Sequence, residues 1–584
     1  MTKEELLARA HAWLADDPDL ETRLELETLI KTEDEPALKE RFFGPLEFGT
    51  AGLRAVVGAG LARMNRVIVA KATWAVGKHL LASFPDARER GVIIAYDGRT
   101  HSRAFAETAC EVLAGLGVRT QLTKRPTPTP LAAFALTHLS AAAAIVITAS
   151  HNPPAYNGYK VFWRDGAQIV PPVDKSIAAL FESSPSYAAI ARVDFAEAKK
   201  RGLLGDVPDA VDAAYLEGAL KLTATNRETD RTLRVAYTAL HGVGTPWIER
   251  AFAAAGFSNL FSVAAQAEPD GAFPTVKFPN PEEPGAMDLL FATAKENDAD
   301  IAIANDPDAD RLAVAVRNVE GRYVQLSGNE VGILLGYDAI VRAEGVVKRP
   351  LVINTIVSSP LLGVIAQKRG VRAEETLTGF KWIANRAMEL FRTEGYSFIL
   401  GYEEALGYSV GTLVRDKDGI SAALAFATLA ASLKQEGSDV LTALERIYRE
   451  FGLFASGQMN IVREGIAGKA ELEAMMTRLR EAPPISVAGM TVKSLVDYER
   501  GVRKTGDVEV RLALPPSNVI GLDLEDGHRI IVRPSGTEPK VKCYFDVYET
   551  LRGEEPLNEA KVRAAATLAT LRSALAETLG VPER

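Results

Sequence analysis

The sequence predicts an α/β protein built from three similar α/β units and a smaller C-terminal α+β domain. Three observations carry this expectation. Apolar strands alternate with helical stretches three times along the chain, each repeat closes on a strand followed by a polar loop, and the last part changes to short strands and one long helix. At 584 residues the chain is long enough for several cores.

The first unit contains apolar runs at 92–96 and 143–147 around a helical stretch at 102–116. The second opens with a strand at 233–237, continues through helical stretches at 247–255 and 287–295, and ends in an apolar run at 300–304. The third has strands at 351–353 and 397–400 around helices at 361–368 and 382–391. After the last strand of each comes a loop dense in polar chemistry: Ser150-His151-Asn152, then Asp306 to Arg311, then Glu403-Glu404. Ligands of open α/β sheets bind beyond the carboxyl ends of strands, so the three loops are expected to converge on one central cleft. Beyond them, 508–548 reads as short strands with turns at Pro515-Pro516 and 525–527, and 558–579 reads as a helix; the stretch 453–502 mixes both signals. The expected domains are 1–208, 209–325, 326–455 and 456–584.

Composition narrows the class of function. Hydrophobic residues at 47% and charged residues at 24% are ordinary for a folded globular chain. A net charge of -9 argues against nucleic acid as a partner, although a local cleft can still attract a small anion. The only two cysteines, Cys110 and Cys543, have no CxxC spacing, which fits a reducing compartment without structural zinc. Residues 1–17 read as an acidic amphipathic helix without a signal-peptide core, and no apolar run approaches the ~20 residues of a membrane span, so a cytoplasmic location without membrane contact is expected.

Ser150 ends an apolar strand and precedes His151, Asn152 and two prolines. The strand is a rigid mount for a nucleophilic hydroxyl, and Pro153 and Pro154 fix φ and remove two backbone donors, so the exit is a constrained loop. In 305–311, Asp306, Asp308 and Asp310 alternate directly after a strand. Three like charges at that spacing repel unless a cation neutralises them, and oxygen-only ligands suit Mg²⁺ or Ca²⁺. An EF-hand is excluded, because its glycine and glutamate positions hold Arg311 and Arg317. The run Arg533 to Lys540 combines a guanidinium, two hydroxyls and Gly536, a set suited to gripping phosphate. No GxxxxGK[ST] run occurs, so a P-loop nucleotide site is excluded.

Five motifs in this order give the chain its resemblance to a known family: 49–54 (GTAGLR), 148–153 (TASHNP), 306–311 (DPDADR), 401–405 (GYEEA) and 533–537 (RPSGT). Together they make the chain similar to the α-D-phosphohexomutases, which include phosphoglucomutases and phosphomannomutases and have four domains around a central cleft. The resemblance implies a phosphosugar mutase that interconverts a sugar 1-phosphate and its 6-phosphate through a phosphoserine and a sugar bisphosphate. Glucose 1-phosphate, or mannose 1-phosphate, is the expected substrate. It also implies Ser150 as phosphoryl carrier, Asp306, Asp308 and Asp310 with an oxygen of phosphorylated Ser150 as ligands of one Mg²⁺, and glucose 1,6-bisphosphate as activator and intermediate. Glu403, with Glu404 beside it, resembles the glutamate that reads sugar hydroxyls. Thr378, Gly379 and Lys381 lie in a run resembling a sugar-specificity loop, and Arg533, Ser535, Gly536 and Thr537 resemble the grip on the nonreacting phosphate. Arg54, Lys160 and Lys417 match positions of proton transfer or charge neutralisation, with Arg311 near the transferring group and His151 a further base candidate.

One position departs from the pattern. Many relatives place Ser two residues after the sugar-reading Glu, whereas this chain has Ala405. A lost hydroxyl shifts sugar preference by roughly 1 kcal/mol without altering the chemistry. The 401–408 and 278–284 runs resemble the phosphoglucomutase-2 branch, which includes phosphopentomutases, so ribose and deoxyribose 1-phosphates stand as alternative substrates. A metal-dependent sugar phosphatase and a nonenzymatic sugar-phosphate sensor are the remaining alternatives, and monomer and homodimer are both compatible with the sequence.

Overall fold

The computed structural model describes residues 2–46, 48, 52–224, 227–463, 465–535 and 540–581. The chain forms two compact units: residues up to Leu326 together with Leu406–Gln435, and Ser327–Ala405 together with residues from Glu436 onward. Three α/β domains and a C-terminal domain are distributed over them. The first unit holds two α/β sheets, and the second holds one α/β sheet and an antiparallel C-terminal sheet.

The first sheet is built around Val92–Tyr96, a five-residue apolar run buried on both faces. It pairs in parallel with Thr120–Leu122 and with Ala143–Ile147. Strands buried on both faces read as continuous apolar runs because helices cover them on either side; Ser102–Gly115 and Thr129–His138 pack on Val92–Tyr96 here, and Arg66–Ser83 packs in turn on Ser102–Gly115. The chain then reverses. Tyr156–Trp163 returns antiparallel to Ala143–Ile147, with Lys160 opposite Val146, and Leu53–Val56 pairs with its far side, with Arg54 opposite Gly158. Lys160 therefore lies within a strand, not in the loop its Asn-Gly-Tyr context suggests. The ladder to Ala143–Ile147 overrides the local turn signal of Asn157-Gly158.

The second sheet repeats the plan. Arg234–Thr238 pairs in parallel with Asn259–Ser262 and Ile301–Ala304, and Ala313–Arg317 returns antiparallel to Ile301–Ala304. The Ser150 loop and the Asp306 loop thus occupy the same topological position, between a parallel strand and its antiparallel return. Three helices precede the first sheet: Lys3–Asp16, where the sequence reads a helix over 1–17, and Leu20–Lys31 and Glu35–Phe42, which were not read in the sequence. Thr2, Asp19 and Asp34 cap them, and Leu6, Trp13, Leu26 and Phe42 join the core of the first unit.

In the second unit, Pro350–Thr355 pairs in parallel with Arg372–Thr376 and with Ser397–Glu403. Glu403 is the final residue of its strand, not part of the following loop. The mixed stretch 453–502 resolves into the strand Leu453–Val462, the helix Gly465–Glu481 and the strand Met490–Asp497. Leu453–Val462 and Met490–Asp497 belong to the C-terminal antiparallel sheet, which continues through Ile520–Leu524, Arg529–Pro534 and Lys540–Glu549. The helix Leu557–Thr578 packs on this sheet. Among the described residues no helix is long and apolar enough to cross a membrane.

Candidate active site

In the first unit, Ser150 is buried at 3% exposure and has φ of 52°. A non-glycine residue in this left-handed region costs of order 1–3 kcal/mol and persists only where its surroundings fix it. Thr148 does part of this, since its Oγ1 accepts the Ser150 backbone N–H at 2.8 Å. The Ser150 hydroxyl donates to Asp306 Oδ2 at 2.6 Å, and its Oγ lies 3.2 Å from His151 Nδ1.

Asp306, Asp308 and Asp310 are buried, with a carboxylate oxygen of each within 4.8 Å of the others. Ala309, at φ 55°, and the bond from Ala309 N to Asp306 O turn the loop so that alternate side chains converge. Lys160 donates to Asp308 Oδ2 at 2.8 Å and to Asp310 Oδ2 at 3.0 Å, and Lys417 Nζ lies 3.3 Å from Asp310 Oδ2. The Arg311 backbone N–H donates to Asp306 Oδ1. Arg54 reaches the same loop system by donating to Asn152 Oδ1 at 2.8 Å.

The second oxygens of two members, Asp308 Oδ1 and Asp310 Oδ1, are buried with no hydrogen-bond partner. Buried carboxylate oxygens without partners are costly. A hard divalent cation held by oxygens supplies what they lack, so the triad fits a metal.

The electrostatics follow from burial and from the crowd of charges. Burial, then Asp308 and Asp310, pushes the Asp306 carboxyl well above its usual range. For Asp310 burial works in the same sense, but Lys160, Lys417 and Arg311 outweigh it and hold the carboxyl far below its usual range. Burial opposes charge on Lys160, yet Asp308 and Asp310 raise its pKa, so the ammonium is held charged. Burial, then Arg311 and Arg54, presses His151 well below its usual value and keeps the ring neutral.

The second unit holds the other expected residues. Glu403 Oε1 accepts the Gly379 backbone N–H at 2.7 Å, so the sugar-reading candidate and the specificity-loop candidate are already joined. Glu404 Oε2 accepts from Thr355 Oγ1 and Ser358 Oγ, each at 3.3 Å. Lys381 is buried in the first turn of the helix Phe380–Glu394. Arg533 Nη1 donates to Thr378 Oγ1 at 2.7 Å, linking the phosphate-loop candidate to the same region. Ser535 N donates to Lys540 O at 2.8 Å and pins the mouth of the loop. Gly536 and Thr537 lie outside the described residues, as do the first three residues of the 49–54 motif.

Two residues of the first unit escaped the sequence reading. Thr129 donates its hydroxyl to Asp308 Oδ2 at 2.7 Å, and its backbone N–H donates to Asp308 O. Arg99 is buried beneath the Ser150 loop. Neither belongs to the polar loops that drew attention in the sequence; an Asp-Gly-Arg run directly after an apolar strand was the one available signal.

Comparison with known proteins decides the family. Residues 45–188, 213–321 and 327–448 match the phosphoglucomutase/phosphomannomutase alpha/beta/alpha domains I, II and III, and 492–555 match that family's C-terminal domain. The chain belongs to the phosphoglucomutase/phosphomannomutase family. It is therefore an enzyme of the phosphomutase class, an intramolecular phosphotransferase. Relatives within the family carry different sugar names. A Haemophilus influenzae protein named "Probable phosphomannomutase" is 40% identical over 86% of this chain and 96% of its own length. The human phosphopentomutase is 34% identical over 92% of this chain and 90% of its own. Among solved structures, pp63/parafusin, a phosphoglucomutase of Paramecium in its open form, shares the phosphomutase fold. Its TM-score is 0.67 at 18% identity, over 92% of this chain and 96% of that one.

Proposed function

We propose that this phosphomutase interconverts glucose 1-phosphate and glucose 6-phosphate by way of phosphorylated Ser150, with mannose 1-phosphate as a further hexose substrate. The observation that carries the reading is the Ser150 hydroxyl, buried 2.6 Å from Asp306 in a triad with two unpartnered carboxylate oxygens and surrounded by cations. Mg²⁺, held by Asp306, Asp308, Asp310 and an oxygen of phosphorylated Ser150, would neutralise charge on the transferring group. In the first half-reaction the free sugar hydroxyl attacks phosphorus as the bond to Ser150 Oγ breaks, giving a sugar bisphosphate, glucose 1,6-bisphosphate for glucose. The attacking hydroxyl's proton passes to one of Lys160, Lys417 and His151. In the second, Ser150 Oγ takes the other phosphoryl group and the sugar hydroxyl regains a proton. Phosphoryl transfer needs positioning and charge neutralisation more than covalent chemistry, and Arg54, Arg311 and the two lysines supply positive charge. Glu403, Glu404, Thr378, Gly379 and Lys381 read the sugar. Arg533, Ser535, Gly536 and Thr537 grip the phosphate that is not reacting.

The name of the human relative favours a second reading, in which ribose or deoxyribose 1-phosphate is preferred, and the missing hydroxyl at Ala405 is consistent with it. Comparing kcat/KM for glucose, mannose, ribose and deoxyribose 1-phosphates separates the two. In the same assay Ser150→Ala is expected to lose at least about 1,000-fold in turnover. Near wild-type turnover in that variant removes Ser150 from the chemistry, and stoichiometric release of inorganic phosphate by the unmodified enzyme replaces the mutase reading with a phosphatase.

A further inference from the structure

Arg99 touches neither the Ser150 hydroxyl nor the acidic triad, yet four backbone carbonyls of the nucleophile loop converge on it. Nη2 donates to Ser150 O at 2.6 Å and to Asn152 O, and Nη1 donates to Pro153 O at 2.9 Å and to Tyr156 O at 3.1 Å. Its side chain is only 1% exposed. Asp97 anchors it from behind: Oδ2 lies 3.4 Å from Arg99 Nε, and Oδ1 accepts the Arg99 backbone N–H and the Ser102 hydroxyl. The Phe273 ring, from the second α/β domain, covers the guanidinium at 4.9 Å.

We propose that Arg99 is the positioning residue of the phosphoryl carrier, a cationic fork that holds the carbonyls of 150–156 inward and keeps Ser150 in its left-handed conformation. Two features make a guanidinium the suitable group. Pro153 and Pro154 have no N–H, so the loop has few donors of its own for its carbonyls. Four acceptors around one planar centre match the several fixed donors of Arg, whereas Lys offers one nitrogen on a flexible stem. Because the fork acts through backbone, it sets where Ser150 Oγ stands relative to Asp306 without entering the reaction.

The inference rests on Ser150 being the phosphoryl carrier, and its test includes one measurement that needs no turnover. Arg99→Lys and Arg99→Ala are compared with the unmodified enzyme for hydrogen exchange, for phosphate on Ser150 by intact mass, and for steady-state kinetics. Faster exchange is expected at the amides of 148–158 in both variants, with the central strands of the unit unchanged. Turnover is expected to fall by about 100-fold, as for a reacting group displaced by about 1 Å, while KM for glucose 1-phosphate stays within about threefold. Methylguanidinium is expected to restore part of the activity of Arg99→Ala. Wild-type kcat and loop exchange in Arg99→Lys overturn the proposal, as does a loss in Arg99→Ala that matches its unfolded fraction by circular dichroism and resists methylguanidinium. If the unmodified enzyme interconverts no sugar phosphate, the functional reading fails, and loop exchange in the two variants still decides the role of the fork.

Discussion

At the scale of single residues, the phosphoryl centre is a balance of buried charge. Lys160 neutralises two carboxylates at once, and removing one member of a buried ion pair costs about 3–5 kcal/mol because the partner is left uncompensated. Lys160→Met is therefore expected to lower stability by about that amount in EDTA, with Mg²⁺ recovering much of it. Thermal melts of the variant with and without Mg²⁺ check this, and a melt indifferent to Mg²⁺ counts against the triad as a metal site. The two thiols respond differently. Burial pushes Cys110 and Cys543 up to about 12, so neither is expected to react with a disulfide reagent at pH 8 until the chain unfolds, when both do. The unfolded chain loses these protons from about pH 8.5, before the folded one does. The thiols' contribution to stability is thus complete below that pH and falls as pH rises toward 12, by up to about 1.4 kcal/mol per unit for each.

At the scale of elements, the Ser150 and Asp306 loops were legible because their residues are adjacent in sequence and follow apolar strands that read cleanly. The strands 92–96 and 143–147 stand where their apolar runs place them. What joins the loops was not legible in any local pattern, and only the family resemblance pointed to Lys160 and Lys417. Lys160 reaches the triad from the middle of a strand, Thr129 from a helix start, and Lys417 from a segment more than 100 residues downstream in sequence; each contact depends on pairing and packing that no local pattern encodes. The strand carrying Lys160 offers a direct check. A Cβ at Gly158 would stand 2.5 Å from Thr148 O and 2.9 Å from Leu53 O, backbone atoms of the residue just beyond Ala143–Ile147 and of the strand Leu53–Val56. Gly158→Ala is expected to cost about 1–3 kcal/mol or more in urea unfolding and to depress activity through the displaced Lys160. An unchanged midpoint would mean that the three strands separate without cost.

At the scale of the whole molecule, the first unit is not continuous in sequence. Leu406–Gln435 returns to it after residues 327–405 have been laid down in the second. This segment brings Lys417 to Asp310 and contributes the helix Gly419–Gln435, buried from Gly419 to Leu433 and packed on Ala210–Thr223 and Thr245–Ala254. A chain ending at Leu326 is expected to leave those helix faces bare, bind the dye ANS and lose its sharp thermal transition. Joining 406–435 to it by a flexible linker is expected to abolish the dye binding; persistent binding would show that the second unit is also required.

That return also imposes an order on synthesis. The Ser150 and Asp306 loops leave the ribosome early, but the helix Gly419–Gln435, which covers Ala210–Thr223 and Thr245–Ala254, follows only after residues 327–405. At ordinary elongation rates the nascent first unit waits on the order of seconds with an apolar surface uncovered. The interval is one in which a chaperone that shields apolar surface would have its greatest effect on the yield of this enzyme.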